Sequence, residues 1–163
     1  MGQSKQFIFT NLDIDGSLSY LLLKWITGQE IPYKCSSIFN IEKDFSDWYR
    51  ANGEKYERIY ILGIDVSECM NAINKDNVVV FAHKLPVKEL SNAKIVTDEN
   101  ASTSMLIYKK FAEKVDLTES QKLLIVIAND IKKHTFELPY SRELDMLYRA
   151  STGDRLMKFC IDF

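Results

Sequence analysis

Short, almost continuous apolar runs alternate with amphipathic segments along this chain, and this alternation restricts the fold more than any other feature. The clearest runs are residues 58–64, Arg-Ile-Tyr-Ile-Leu-Gly-Ile, and residues 77–81, Asn-Val-Val-Val-Phe. A strand that is apolar on both faces is typical of a parallel sheet covered by helices on each side. We therefore predict an α/β domain with a mostly parallel sheet of about five strands and helices on both faces.

The same patterns predict the other elements. Further strands are predicted at residues 6–10, 33–37 and 94–97. Helices are predicted over residues 17–25, 41–51, 67–73, 102–115 and 141–150. Thr118 begins another helix through a Thr-x-x-Gln capping pattern, although the apolar run of residues 123–131 leaves a strand open. Residues 156–163 stay unassigned.

Length and composition favour one globular domain over residues 1–163. The 163 residues carry 21 Lys and Arg against 23 Asp and Glu, so no overall basic field indicates nucleic-acid binding. No apolar run approaches the roughly 20 residues that span a bilayer, and no signal peptide follows Met1. The widely spaced Cys35, Cys69 and Cys160 are interpreted as reduced thiols. We predict a cytoplasmic protein without a membrane partner.

Chemistry-bearing residues follow the predicted strands. Asp13 and Asp15 come after the first strand, Asp65 after the third and His83 after the fourth, and Asp130 follows a later apolar run. Ligands bind beyond the carboxyl ends of parallel strands, so these side chains are predicted to converge there. On an extended backbone Asp13 and Asp15 would point the same way.

Such a set of ligands favours a metal site. Four carboxylates at one edge would repel one another unless cations lay among them. Carboxylate oxygens with one imidazole suit Mn²⁺ or Mg²⁺, and two such ions are a usual device for phosphoester hydrolysis by activated water. A purely structural interpretation also exists for single residues, since Asp65 can cap the turn at Ser67 and His83 alone is more often a satisfied core histidine. Gly16 permits a tight turn close to a ligand. Lys132-Lys133 are interpreted as a solvated face, although a basic rim would suit a phosphate substrate.

The residues of these strand ends resemble the motifs of the DHH phosphoesterase superfamily, which includes single-strand exonucleases, nano-RNA phosphodiesterases and cyclic-dinucleotide phosphodiesterases. The resemblance covers residues 6–155. The similar segments, in chain order, are Asp13–Ser17, Ile61–Asp65, Ala82–Lys84 at the Asp-His-His motif, Ala101–Ser104 and Asn129–Asp130.

The resemblance implies roles for individual residues. Asp13 and Asp65 would bind a first metal ion, and Asp65 would bridge to a second one held also by Asp15, His83 and Asp130. Lys84 would meet the substrate phosphate where the family has its second histidine, acting as a point charge. The implied activity is manganese-dependent hydrolysis of nucleic-acid ends, short oligonucleotides or cyclic nucleotides.

Two departures from the family pattern affect these expectations. Ala82 replaces the acid of the Asp-His-His motif, which orients the histidine, and Asn11 or Phe9 stands where many members have a histidine for the first metal. We therefore expect weak binding of the first metal. The family's usual C-terminal substrate-binding domain is not seen in residues 1–163.

Alternatives stay open at this point. An inactivated DHH-like domain would bind nucleotide, short single-stranded nucleic acid or a protein partner without turnover, and a homodimer is also compatible with the sequence. A haloacid-dehalogenase-like phosphatase would use Asp13 as a nucleophile and Asp15 as acid and base, because Asp13–Ser17 also resembles that family's signature.

Overall fold

A five-stranded parallel sheet forms the centre of the fold. The computed structural model describes residues 5–84 and 90–150. The strands are β1 (Gln6–Thr10), β2 (Tyr33–Cys35), β3 (Arg58–Leu62), β4 (Val78–Ala82) and β5 (Lys94–Thr97). Their order is β2-β1-β3-β4-β5, and every neighbouring pair is parallel. The predicted α/β fold class is therefore confirmed.

In the described part of the chain, six α-helices connect or cover the strands. They are α1 (Ile14–Thr27), α2 (Ile41–Asn52), α3 (Met70–Ile73), α4 (Thr103–Phe111), α5 (Glu119–Lys132) and α6 (Ser141–Ala150). The helix predicted over residues 67–73 is shorter than expected, since only Met70–Ile73 is helical. None of the helices in the described part of the chain is long and apolar enough to cross a membrane.

Alternating strand residues separate two apolar cores. In β1, Phe7 and Phe9 pack with Phe45 of α2, whereas Ile8 packs with the cluster that contains Leu18 and Leu22 of α1. Successive side chains of a strand point to opposite faces, so one strand serves both cores. This arrangement leaves the ends of the strands as the places where polar side chains gather.

Capping residues explain where helices α1 and α5 begin and where α1 ends. Helix α1 begins three residues earlier than predicted, because Asp13 caps it by accepting a hydrogen bond from the Gly16 N–H at 2.8 Å. Gly28 ends it in the left-handed conformation, with a φ of 63°. In α5 the predicted capping box between Thr118 and Gln121 is present, and the run that left a strand open is helical.

Two of the three cysteines lie in the described part of the chain. Cys35 is half-buried and Cys69 is buried, and neither forms a disulfide. Burial raises the pKa of the Cys69 thiol to about 11, so it stays protonated and unreactive near neutral pH. Cys160 and the unassigned residues 156–163 lie outside the described residues.

Candidate functional site

Two adjacent clefts lie at the carboxyl edge of the sheet. The Asp65 cleft has a volume of about 590 Å³ and contains Asp65, Ser36 and Asn40 in its lining. The Lys132 cleft has a volume of about 640 Å³ and is lined in part by polar residues, namely Asp15, His83, Lys84, Lys132, His134, Asp145 and Arg149. Leu12 and Asp13 line both clefts and separate them. The sheet edge therefore brings together Asp13 with Asp65 on one side, and Asp13 with Asp15, His83 and Lys84 on the other.

Both carboxylate oxygens of Asp13 have partners. Oδ1 accepts the Gly16 N–H, and Oδ2 accepts the Asn11 amide at 2.6 Å and the Lys132 ammonium at 3.3 Å. Burial raises the pKa of Asp13, and the Lys132 charge opposes that rise. Burial lowers the pKa of Lys132, but the charges of Asp13 and Asp15 outweigh it and leave the pKa above its ordinary value. Lys132 is therefore a charged partner of Asp13.

Asp15 faces a different part of the molecule. Helix α1 already includes Asp15, so the prediction that an extended backbone points Asp13 and Asp15 the same way is wrong. The Asp15 carboxylate is fully buried and accepts hydrogen bonds from the Thr103 N–H at 2.9 Å, the Ser104 N–H at 2.8 Å and the Ser104 hydroxyl at 2.7 Å. It thus binds the N-terminus of α4, where unpaired N–H groups and the helix dipole favour an anion.

Gly16 is required by a close contact inside the protein. A Cβ atom at this position would lie 1.9 Å from Asn11 Oδ1 and 2.6 Å from the Asn11 carbonyl oxygen. The predicted close approach at Gly16 is therefore made by Asn11, the residue that also positions Asp13.

Asp65 forms a local turn. Its Oδ1 atom accepts the N–H of Ser67 at 3.0 Å and the hydroxyl of Ser67 at 2.6 Å. The Ser67 hydroxyl, with a further contribution from the charge of Lys84, holds the pKa of Asp65 below its usual value. The capping interpretation of Asp65 accounts for these contacts, and Asp65 also lines the same cleft as Asp13.

The altered Asp-His-His segment lies at the end of β4. His83 Nδ1 is 3.4 Å from the Ala101 carbonyl oxygen, and Lys84 is exposed. Ala82 is only 2% exposed and packs in the apolar core that contains Phe9 and Ile61. The position that carries the acid in the family is here part of a core.

Asp130 binds the segment that follows α5. It is on α5, not at the end of a strand, and it is not among the residues that line either cleft. Its carboxylate accepts the hydroxyl of Thr135 and the N–H groups of Glu137 and Leu138 at 3.2 and 3.1 Å. Asp130 thereby holds the segment that follows α5 against the end of that helix.

We expect protonation of Asp130 at acidic pH to lower the free energy of unfolding. Burial raises its pKa, but hydrogen bonds from Thr135 and the backbone outweigh burial and lower the pKa from 3.8 to about 2. Because the folded pKa is lower than the unfolded one, stability is present above pH 4 and is lost as the pH falls toward 2. With screening by nearby water, this loss is about 1–2 kcal/mol.

Urea unfolding curves from pH 5 to pH 2 measure the Asp130 effect. The Asp130→Asn variant should lose the acid-dependent part of the stability, whereas Asp116→Asn, at an exposed position, should follow the wild type. Equal pH slopes for Asp130→Asn and the wild type would contradict the expectation.

The sequence did not reveal the contact between Lys132 and Asp13. The predicted solvated face is wrong for Lys132, whose ammonium reaches Asp13 although the two residues are 119 positions apart. Asp145 and Arg149 of α6 also reach the Lys132 cleft, where they form an ion pair with an N–O distance of 2.8 Å. No local pattern marks these residues, because only the packing of α5 and α6 beside the strand ends places them there.

These contacts do not fit the two-metal centre that the resemblance implies. Asp15 and Asp130 already accept three hydrogen bonds each from protein groups, and Lys132 places a positive charge on Asp13. Within residues 5–84 and 90–150, no group of three or more His, Cys, Asp and Glu side chains could hold a metal ion. A divalent cation beside Asp13 would also meet the ammonium of Lys132, which it repels.

Comparisons with known proteins show what this arrangement is similar to. No known family matches the sequence, and no curated protein matches it. Among solved structures, an uncharacterized protein from Helicobacter pylori G27 is similar with a TM-score of 0.57 and 12% identity, over 83% of this chain and 44% of that one. Exonuclease RecJ bound to manganese is similar with a TM-score of 0.54 and 9% identity, over 98% of this chain and 57% of RecJ.

A third similar structure is CDC45 from Entamoeba histolytica, with a TM-score of 0.52 and 15% identity over 98% of this chain and 34% of CDC45. The chain thus spans between about a third and three fifths of the lengths of these proteins. Identities this low show a shared fold and nothing finer. The chain thus shares an α/β fold with exonuclease RecJ, in agreement with the predicted fold class.

Proposed function

We propose that this protein binds nucleotides or short single-stranded nucleic acid through their phosphate groups, and that it does so without two-metal hydrolysis. The observation that carries the proposal is the Lys132 cleft, which places Lys84, Lys132, His83 and His134 around one opening at the ligand-binding edge of the sheet. RecJ is an exonuclease, so its substrate is nucleic acid, which supports the same ligand class here.

The charges of the Lys132 cleft allow a phosphate to bind. Three acidic groups lie in the lining, but Asp15 is held by α4, Asp13 by Lys132 and Asp145 by Arg149. An ammonium has three N–H donors, so Lys132 can bind Asp13 and still donate to a phosphate. Lys84 adds an exposed positive charge at the same opening. A phosphate would therefore find donors without an uncompensated carboxylate beside them.

Fluorescence anisotropy of a labelled, 5′-phosphorylated six-nucleotide DNA strand tests this proposal, in EDTA at low salt. We expect binding by the wild type and a roughly tenfold weaker affinity for Lys84→Ala, with a salt dependence smaller by about one phosphate contact. Lys133→Ala and Lys109→Ala are matched controls, because both lysines are exposed and neither lines the cleft. An absence of binding in EDTA, or an equal loss in all three variants, would contradict the proposal.

A manganese-dependent phosphoesterase is the second candidate, favoured by one observation: Asp13 and Asp65 line the same cleft. Bis-p-nitrophenyl phosphate, the six-nucleotide strand and a cyclic dinucleotide would be incubated with the protein and Mn²⁺. Turnover that Asp65→Asn abolishes would establish the hydrolase and overturn the non-hydrolytic proposal. Absence of turnover on all three, together with binding in EDTA, would support the binding domain.

The haloacid-dehalogenase hypothesis needs Asp13 as a free nucleophile. Here both oxygens of Asp13 accept hydrogen bonds. The carboxylate of Asp15 is bound to the N-terminus of α4 and is therefore not placed to act as acid and base. Trapping with beryllium fluoride, followed by NMR, checks this hypothesis directly. We expect no adduct at Asp13.

A further inference from the structure

We infer that the ammonium of Lys132 takes the place of a metal cation at this edge of the sheet. It neutralises the Asp13 carboxylate and thereby keeps divalent metal ions out of the site. This inference concerns the charge balance of the protein itself, so it does not depend on whether the ligand is a nucleic acid.

The contacts around Asp13 support a fixed ion pair. The Lys132 side chain is 27% exposed and that of Asp13 is 43% exposed, so the pair is partly shielded from water. Asn11 holds the same Asp13 oxygen at 2.6 Å, and the Gly16 N–H holds the other one. The carboxylate is thus oriented by α1 and its preceding loop, and Lys132 meets it from the last turn of α5.

A single ammonium is sufficient here because the other carboxylates are compensated elsewhere. Asp15 lies at the N-terminus of α4, Asp130 is surrounded by donors of the segment after α5, and Asp65 is bound by Ser67. Asp13 is then the carboxylate of this set that needs a positive charge, and Lys132 supplies it. Without Lys132, the Asp13 carboxylate would line both clefts without a positively charged partner. That arrangement attracts a free cation.

Removing the lysine should therefore create metal affinity. Calorimetric titration with Mn²⁺ alone would compare the wild type with Lys132→Met, which keeps the length of the side chain and loses its charge. We expect Mn²⁺ to bind Lys132→Met at least tenfold more tightly than the wild type. Lys133→Met changes the neighbouring exposed lysine and should behave as the wild type does. The double variant Asp13→Asn, Lys132→Met should lose the new affinity.

Thermal unfolding gives a second readout that does not require calorimetry. Millimolar Mn²⁺ should raise the Tm of Lys132→Met and leave that of the wild type unchanged, since a ligand stabilises only the form that binds it. If Lys132→Met does not fold, Lys132→Gln repeats the test with a polar side chain. Tight Mn²⁺ binding by the wild type, or equal affinities for the wild type and Lys132→Met, would overturn the inference.

The two measurements distinguish a failure of the role inferred for Lys132 from a failure of the proposed function. Binding of the six-nucleotide strand is measured in EDTA, where no metal contributes. A wild type that binds Mn²⁺ tightly and still binds the strand in EDTA would overturn only the role of Lys132. A wild type that excludes Mn²⁺ and does not bind the strand would overturn only the proposed function.

Discussion

Replacing Asp15 with alanine is expected to lower the free energy of unfolding by about 3–5 kcal/mol, one of the two largest effects that the structure indicates. The substitution leaves the N–H groups of Thr103 and Ser104 and the hydroxyl of Ser104 without their acceptor. All of these groups are buried, so water cannot replace the carboxylate without a rearrangement of α4. The cost is the desolvation of stranded donors added to the loss of a charged partner at a helix N-terminus.

Urea denaturation at pH 7 measures the Asp15 effect, and amide hydrogen exchange localises it. Faster exchange at Thr103 and Ser104 should accompany the loss of stability. Asp47→Ala is the matched control, because Asp47 is a helical aspartate with a side chain 54% exposed and an exposed partner in Lys43. Its substitution should change the free energy of unfolding very little, because exposed ion pairs contribute little to stability. A loss below about 1 kcal/mol for Asp15→Ala would show that the contacts with α4 contribute little.

Restoring the family's acid by Ala82→Asp is expected to cost about 4 kcal/mol at pH 7 and to restore no hydrolysis. Ala82 is 2% exposed and packs against the apolar side chains on the α2 side of the sheet. A carboxylate there is buried without a positive partner, so its folded pKa should rise above the unfolded value near 4. The stability of the variant is then highest below pH 4 and falls as the pH rises through the folded pKa.

The pH dependence separates the charge of the introduced carboxylate from its size. Ala82→Asn introduces a side chain of nearly the same volume without a charge, so it should be destabilised by a similar amount at pH 4 and pH 7. Urea unfolding at both pH values compares the two variants, and the bis-p-nitrophenyl phosphate assay with Mn²⁺ is run in parallel. Hydrolysis by a stable Ala82→Asp variant would show that the wild type is an enzyme inactivated at this one position.

Local sequence predicted the elements of the fold well where the pattern was strong. The first and last strands, Gln6–Thr10 and Lys94–Thr97, have the predicted bounds, and the capping box at Thr118 is present. The start of α1 was missed because a side-chain cap, not a change in hydrophobic periodicity, begins that helix at Ile14. The bounds of the short helix Met70–Ile73 were missed for a related reason, since one turn carries little periodic signal.

The candidate site was predicted only in part. The residues that follow β1, β3 and β4 do lie at the carboxyl edge, as parallel topology requires. Asp130 does not follow a strand, because the apolar run before it forms helix α5, and its carboxylate binds the segment after that helix. The metal roles of Asp13, Asp15, Asp65, His83 and Asp130 stay predictions that Mn²⁺ titration can test.

The sequence by itself determined the α/β class, the parallel sheet and the edge at which polar residues gather, because these depend on local periodicity and on the geometry of strands. The tertiary structure alone decided which charges meet. Asp15 faces α4, 88 positions along the chain, and Asp13 meets Lys132, 119 positions along the chain. Each carboxylate binds the donor that tertiary packing brings within about 3 Å. The strength of an ion pair depends on the distance between the charges and on the burial of the pair, and no local sequence pattern contains either quantity.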